Sequence, residues 1–201
     1  GTGFGRAVTA GAEKETAMKT LFLLRHAKSS WSDPELRDFD RPLNARGRGA
    51  CDVMGPRIAA LGIDPDRLLV SSAARTRETV DRLQAHAAFR TAPHYLDDLY
   101  GADVAELMRC LRALPATAGS AMVIGHNPGL QELALALAHQ DDNPLLDRLE
   151  TKFSTAGLAR IDLDIDAWDG LRPGSGKLAM FEVPKDHKSG SDQRLAGQRV
   201  G

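Results

Sequence analysis

Short apolar runs that stop abruptly at polar residues alternate with helical patterns along this chain. Such runs are typical of buried parallel strands, and they occupy residues 20–24, 67–71 and 121–125. Helical patterns of apolar residues cover residues 44–61, 76–88 and 103–114, and another begins at Pro128. Residues 157–165 alternate apolar and polar positions, as a half-buried strand does, and residues 177–183 resemble its partner. The order predicts an α/β fold: a mostly parallel central sheet with helices on both faces, in three α/β/α layers.

The two ends of the chain differ in composition from its middle. Residues 1–17 are rich in Gly, Ala and Thr and lack an apolar period, so we expect a flexible extension that ends where Met18 opens the first strand. Residues 185–201 are polar, and we expect a loose tail. The folded domain is then expected over residues 18–184. Inside it, Pro56 interrupts the first helical pattern and predicts a kink or a break.

Length and charge narrow the class of protein. With 201 residues, 42% of them hydrophobic, the chain can build one domain with a sizeable core. The net charge of −1 argues against a general nucleic-acid binder. No apolar stretch approaches the roughly 20 residues of a membrane span. Cys51 and Cys110 form no CxxC pair, which agrees with a reducing compartment. We therefore expect a cytoplasmic monomer with no membrane and no nucleic-acid partner.

Candidate chemistry lies where the predicted strands end. Arg25 and His26 follow the first strand, Arg75 lies just after the second, and His126 follows the strand over residues 121–125. Ligands of open α/β sheets bind at this edge of the sheet. A neutral imidazole is a good nucleophile near pH 7, and arginine beside a helix N-terminus stabilises the equatorial oxygens of a phosphoryl group. The four residues thus predict a phosphoryl-transfer site.

Other residues near these strings have simpler explanations. The string CDVMGPR over residues 51–57 has the Cys-x5-Arg spacing of cysteine-dependent phosphatases, but Cys51 falls within a helical pattern rather than after a strand, which favours a packed core side chain. Arg77 is expected to be a solvated charge. Arg41 and Asn44 are expected to order the loop and cap the helix, whereas Lys28 could either touch phosphate or belong to the loop.

Four motifs, in this order, resemble the histidine phosphatase superfamily, which is phosphoglycerate mutase-like. They are LRHAKSSW at residues 24–31, DRPLNARG at 40–47, SSAARTRET at 71–79 and GHNP at 125–128. The match is closest to the SixA-like phosphohistidine phosphatases. This resemblance implies that His26 is the nucleophile that becomes phosphorylated. It also implies that Arg25, Arg75 and His126 complete the phosphate pocket, and that no metal or other cofactor takes part.

The resemblance leaves the proton donor and the substrate open. The family's acid is commonly a glutamate before the third helix; here Asp98 is the nearest equivalent, with Asp97 beside it. Only residues 29–42 and 97–102 could cover the site, which favours a phosphohistidine on a protein over a buried metabolite. A small phosphate ester is the alternative substrate, and a phosphate-binding module without turnover is the alternative function.

Overall fold

The structure, a computed structural model, describes residues 18–187. Its strands are β1 (Lys19–Arg25), β2 (Arg67–Ser71), β3 (Pro93–Leu96), β4 (Ser120–Gly125), β5 (Leu158–Leu163) and β6 (Gly176–Glu182). Its α-helices are α1 (Ala45–Ala60), α2 (Ala74–Gln84), α3 (Val104–Arg112), α4 (Gly129–Leu137) and α5 (Pro144–Thr151). Short 3-10 helices occupy Asp38–Asp40, Asp97–Leu99, Trp168–Gly170 and Pro184–His187. The α/β fold is confirmed.

The strands form one sheet in the order β3-β2-β4-β1-β5-β6. The pairs β1–β4, β2–β4 and β2–β3 are parallel, whereas β5 is antiparallel to both of its neighbours. Strand β6 therefore points the same way as β1. The mostly parallel sheet that the sequence predicts is present, and the carboxyl ends of every strand except β5 meet at one edge.

Two apolar clusters cover the two faces of the sheet. Leu24, Val70 and Ile124 point to one face, where they pack with Met54 of α1 and Val80 of α2. The opposite face belongs to a larger cluster that includes Leu111 of α3, Leu133 of α4, Leu149 of α5 and, just after α5, Phe153. The alternation of neighbouring β1 residues between these clusters gives the three layers, with the sheet in the middle.

Some elements differ from the expectation. Helix α1 runs without a break through Pro56, which is exposed, as is Asp52 four residues earlier, so the missing hydrogen bond falls on the solvent side. Two elements were not predicted: β3, a short edge strand that is half exposed, and the helix α5. The expected extension at residues 1–17 lies outside the described residues, as does the expected tail from residue 188 onward; residues 184–187 form a 3-10 helix.

Candidate active site

The register of β1 against β4 brings the two histidines together. Arg25 pairs with Gly125 across these strands, and the His26 amide donates a hydrogen bond of 3.0 Å to the Gly125 carbonyl. The next residue after each strand is a histidine, and the imidazole rings of His26 and His126 lie with their centroids 5.1 Å apart. Each residue is only 8% exposed.

The hydrogen bond of His26 defines its tautomer. Its Nδ1 lies 2.7 Å from the carbonyl oxygen of Ala27. A carbonyl can only accept, so Nδ1 carries the proton and Nε2 keeps its lone pair. Burial, together with the charges of Arg75 and Arg25, lowers the pKa of His26 to about 4, against the opposing influence of the Ala27 hydrogen bond. The ring is therefore neutral at pH 7, as a nucleophile must be.

His126 is held by the end of a third strand. Its Nε2 lies 2.8 Å from the hydroxyl of Ser71, the last residue of β2, and either group can be the donor. Burial, followed by the neighbouring His26 and Arg75, lowers the pKa of His126 to about 3. The site thus holds two neutral imidazoles beside the cationic guanidinium groups, so positive charge comes from the arginines.

Arg25 has its guanidinium turned toward the segment after α5. Its Nη1 donates to the carbonyl of Phe153 at 2.7 Å. Its Nε is buried without a partner within residues 18–187, so the group keeps hydrogen-bonding capacity for a ligand. Burial and the charge of Arg75 lower the pKa of Arg25. Two nearby guanidinium groups repel one another, and an anion between them would relieve that repulsion.

Arg75 lies in the first turn of α2, a helix whose N-terminus has no side-chain cap. Such a terminus leaves amide donors free for an anion. The guanidinium is 7% exposed and already holds a carboxylate: Nη2 donates to Asp38 Oδ2 at 3.0 Å and Nη1 to the Asp38 carbonyl at 2.6 Å. An internal carboxylate therefore already pairs with this arginine.

The two segments expected to cover the site meet beside His126. Tyr100 donates from its hydroxyl to Asp38 Oδ2 at 2.7 Å, and its ring lies edge-on to His126 with centroids 5.5 Å apart. The ring of Phe39 packs edge-on against Tyr100. The hydrogen bond from Tyr100, with the charge of Arg75, lowers the pKa of Asp38. The charge of Asp38 also opposes, in part, the lowering of the pKa of both histidines.

Strand β1 ends in a loop that is anchored on α1 and α2. The Ala27 amide donates to the Thr79 hydroxyl at 3.1 Å. Asn44 accepts from the Gly47 amide at 2.8 Å, which confirms its predicted role as the cap of α1. A side chain at Gly47 would meet the Lys28 carbonyl at 2.2 Å, so only glycine allows this approach. These contacts fix the backbone that carries His26.

The predicted proton donors lie at the surface. Asp98 accepts from Arg109 Nη2 at 2.9 Å, and both side chains are 63% exposed. Within residues 18–187, no hydrogen bond or ion pair joins Asp98 to His26 or His126. Asp97 accepts a short hydrogen bond from the hydroxyl of Ser72, next to the Ser71 that holds His126. Of these three aspartates, Asp38 has the most direct contacts with the cationic site.

Other residues weighed in the sequence lie as expected. Burial raises the pKa of the Cys51 thiol to about 12, and the side chain is 0% exposed, so it is a core residue of α1. Arg77 is exposed and stacks on Tyr95, with 4.0 Å between the guanidinium carbon and the ring centroid. Arg41 orders its loop by stacking on Trp31, 4.1 Å from the ring centroid.

Sequence reasoning missed Asp38, Ser71 and Tyr100. Ser71 stood in a motif, but only the register between β2 and β4 shows that its hydroxyl reaches His126. Asp38 lies in a loop with several acidic residues, where nothing in the sequence distinguishes it from Asp33 or Asp40. Tyr100 could have been suspected, because it is a tyrosine within residues 97–102, one of the two segments expected to cover the site.

The fold and the paired histidines define the class of protein, and comparisons with known proteins give the family. Residues 21–107 match the profile of the histidine phosphatase superfamily, branch 1. The Mycobacterium tuberculosis protein Rv1276c is 31% identical over 164 residues, which are 81% of this chain and 100% of that protein. A structure assigned as phosphohistidine phosphatase SixA from Agrobacterium tumefaciens is 30% identical with a TM-score of 0.70, and the match covers 83% of this chain and 98% of that one.

A second structure assigned as SixA, from Nakamurella multipartitia, is 28% identical with a TM-score of 0.72, over 83% of this chain and 96% of that one. The chain belongs to the histidine phosphatase superfamily and is SixA-like. It is a phosphate-hydrolysing enzyme. No helix within residues 18–187 is long and apolar enough to cross a membrane. In the same range, no three His, Cys, Asp or Glu side chains are grouped so that they could hold a metal ion.

Proposed function

We propose that this enzyme removes the phosphoryl group from phosphohistidine on a protein, through a covalent intermediate on His26. The observation that carries the proposal is the tautomer of His26: Nδ1 is committed to the Ala27 carbonyl, so Nε2 is the free nucleophile of a neutral ring. Arg25 and Arg75 supply the positive charge that phosphoryl transfer requires. No divalent metal is needed in this scheme.

In the first step, the Nε2 lone pair of His26 forms a bond to phosphorus while the P–N bond of the substrate breaks. The electron pair of that bond stays on the substrate imidazole, which takes up a proton. The proton of His26 stays on Nδ1, which keeps donating to the Ala27 carbonyl, so the phosphorylated ring carries positive charge and is a good leaving group. Water then attacks phosphorus, the bond to Nε2 breaks, and inorganic phosphate leaves.

The proton for the leaving imidazole comes from a carboxyl group, which regains it from the attacking water in the second step. We propose Asp98, with Asp97 beside it, as the expected equivalent of the family's acid. Asp38 lies nearer the cationic site but is a poorer acid, because Tyr100 and Arg75 both donate to its carboxylate and hold its pKa below the usual range. Because a P–N bond is labile, this proton matters less for phosphohistidine than for an alkyl ester.

Substrate binding on this proposal is an exchange of anions. Asp38 accepts two hydrogen bonds through Oδ2, from Arg75 and Tyr100, and half of its side chain is exposed. A phosphoryl group carries more charge and more acceptor oxygens than a carboxylate, so it can displace Asp38 from the guanidinium. The loop over residues 29–42 would then move with Asp38.

The similarity to structures assigned as SixA supports phosphohistidine on a protein as the substrate. The short cover supports it as well: Asp38 and Tyr100 meet beside His126 on two short segments, and within the described residues no inserted domain encloses the histidines. A protein surface can reach a site that has so small a cover more easily than one enclosed by a lid domain.

The test is to trap the phosphoenzyme. We expect a rapid quench with labelled phosphohistidine peptide to leave acid-labile, base-stable phosphate on His26 of the wild-type enzyme, as a phosphoramidate requires. His26→Ala removes the nucleophile, so we expect no label. Because the ring is buried, circular dichroism is used to check that the variant is folded, and His94→Ala, on the exposed edge of β3, is the control for loss of a histidine outside the site. Turnover should persist in EDTA.

Label that survives acid, or an active His26→Ala variant, would contradict the covalent mechanism. Efficient turnover of sugar phosphates or nucleotides with none of phosphohistidine would instead support the small-ester alternative. The same preparation of enzyme answers both questions, because the intermediate on His26 and the identity of the leaving group are measured separately.

A further inference from the structure

A basic cleft lies beside the histidine site, on the side of Arg25. It has a volume of about 580 Å³ and is lined by residues of α1, of the segment that follows α5, and of the segment that follows β6. Its five cationic residues are Arg25, Lys28, Arg46, Lys152 and Lys185. None of its lining residues is Asp or Glu. We call this site the basic cleft.

Four of the five cations of the basic cleft have no anionic partner in the part of the chain that the structure describes. Lys28, Arg46, Lys152 and Lys185 are exposed, and within residues 18–187 none of their side chains takes part in an ion pair or a hydrogen bond. The whole chain carries 26 Lys and Arg against 27 Asp and Glu. A group of unpaired cations in a chain of balanced charge repels itself and attracts anions.

Arg25 connects the basic cleft to the reaction centre. It lines the cleft and directly precedes His26 in the chain, so their Cα atoms are about 3.8 Å apart. Lys185 comes near His26 because β6 has the same direction as β1. The segment that follows β6, which carries Lys185, therefore begins at the same edge of the sheet as His26. A substrate bound at His26 can therefore extend into the basic cleft.

The kind of cation indicates the kind of anion. Three of the five are lysines, and Lys28, Lys152 and Lys185 are all exposed. Exposed ammonium groups on flexible stems are strongly hydrated point charges that favour encounter with a charged surface. Capture of a second phosphate in a dry pocket would call for buried guanidinium groups, which bind phosphate in a bidentate geometry. Carboxylates of a protein surface fit the basic cleft better.

We propose that the basic cleft binds acidic side chains that flank the phosphohistidine of the protein substrate. This proposal rests on the proposed function and adds a preference: phosphohistidine in an acidic segment is dephosphorylated faster than the same group in a neutral one. Because the charges are exposed, the preference is electrostatic and weakens as salt is raised.

Two phosphohistidine peptides test the proposal, one with glutamates flanking the phosphohistidine and one with glutamines in their place. We expect the wild-type enzyme to have a KM for the glutamate peptide lower by about tenfold at low ionic strength, and the difference to shrink several-fold near 0.5 M salt, where the screening length is only about 4 Å. The variant Lys152→Glu/Lys185→Glu should lose the preference, with little change for the glutamine peptide.

A matched control is Arg67→Glu/Lys177→Glu, which changes the net charge equally. Both residues are exposed and lie at the starts of β2 and β6, at the edge of the sheet opposite the site. This control should keep the preference. A preference that survives in Lys152→Glu/Lys185→Glu, or that is lost equally in the control, would overturn the proposal.

The outcomes separate this proposal from the proposed function. If the wild-type enzyme hydrolyses neither peptide, the proposed function fails. If it hydrolyses both at equal KM, only the role of the basic cleft fails. If the cleft variant instead weakens inhibition by inorganic pyrophosphate relative to phosphate and leaves the peptides unchanged, the cleft binds a second phosphate and the assignment to acidic side chains is wrong.

Discussion

The low pKa of His26 predicts that the nucleophile stays neutral in mild acid. Burial within a pocket that also contains Arg75 and Arg25 lowers this pKa to about 4, against an ordinary histidine value of 6.5. The experiment therefore varies the pH and follows the activity of the unmodified enzyme. We expect the acid limb of kcat/KM, which reports the free enzyme, to fall near pH 4 rather than near pH 6.5.

The size of the effect follows from the two pKa values. At about pH 5.5, about 3% of His26 would be protonated with the lowered pKa, against about 90% for an ordinary histidine. The same difference affects stability. The folded pKa lies below the unfolded one, so as pH falls from 6.5 to 4 the unfolded state takes up a proton that the folded state refuses, and stability declines by up to about 3 kcal/mol from His26.

Histidine NMR titration measures the pKa without interference from the ionisation of the substrate. The His26 signals, assigned by their absence in His26→Ala, should not move between pH 7 and pH 5. In urea-unfolded protein the histidine signals should titrate near pH 6.5, which is the control. Urea unfolding at several pH values gives the stability, and the wild type should lose more of it between pH 6.5 and 4 than His26→Ala does.

A midpoint near 6.5 for His26 in the folded protein would refute the reasoning, since burial would then not govern its protonation. A stability that rises as the pH falls through this range would refute the sign of the linkage. Loss of activity near pH 6.5 with an unshifted His26 signal would instead point to the substrate or to a carboxylate, because the nucleophile itself would remain neutral.

Four substitutions give further predictions. Arg75→Ala should raise the inhibition constant of vanadate and lower kcat/KM together, each by at least about tenfold, since the arginine holds ground state and transition state alike. Asp38→Asn should lower the inhibition constant of phosphate several-fold by removing the competing anion, whereas Asp98→Asn should leave that constant unchanged. Substitution of the carboxyl that serves as the acid should slow hydrolysis of an alkyl phosphate more than hydrolysis of p-nitrophenyl phosphate. Gly47→Ala should lower the free energy of unfolding by about 1–3 kcal/mol, as its methyl group overlaps the Lys28 carbonyl.

The sequence predicted the sheet well because buried strands in it are short apolar runs with polar ends. The expected runs at 20–24, 67–71 and 121–125 differ from β1, β2 and β4 by a residue or two at most. Two elements were missed, each for its own reason. Strand β3 lies at the edge with half-exposed residues, so it has no apolar run, and α5 is short, although Asn143 and Pro144 carry a recognisable helix start.

The motif residues, such as His26 and His126, reach the site because they lie at the ends of strands. The end of a buried strand can be predicted from the sequence, because the apolar run stops there. Asp38 and Tyr100 reach the site from loops that are 62 residues apart in the chain and meet through side chains, by the hydrogen bond between these two residues and by the packing of Phe39 on Tyr100. Local pattern holds no information about such a pairing. Asp98 shows the converse: its place before α3 suggested an acid, but Arg109, one turn into that helix, pairs with it at the surface.

The contacts of Arg75 link these observations to how the site can work. An arginine that is 7% exposed, next to two neutral histidines and a second arginine, is costly to bury unless an anion accompanies it. Asp38 supplies that anion from a 3-10 turn in a surface loop rather than from the sheet. On the proposed exchange of anions, the carboxylate that compensates the buried cation is therefore the same group that an incoming phosphoryl group would displace, and its position in a loop allows it to leave without disturbing the strands that carry the histidines.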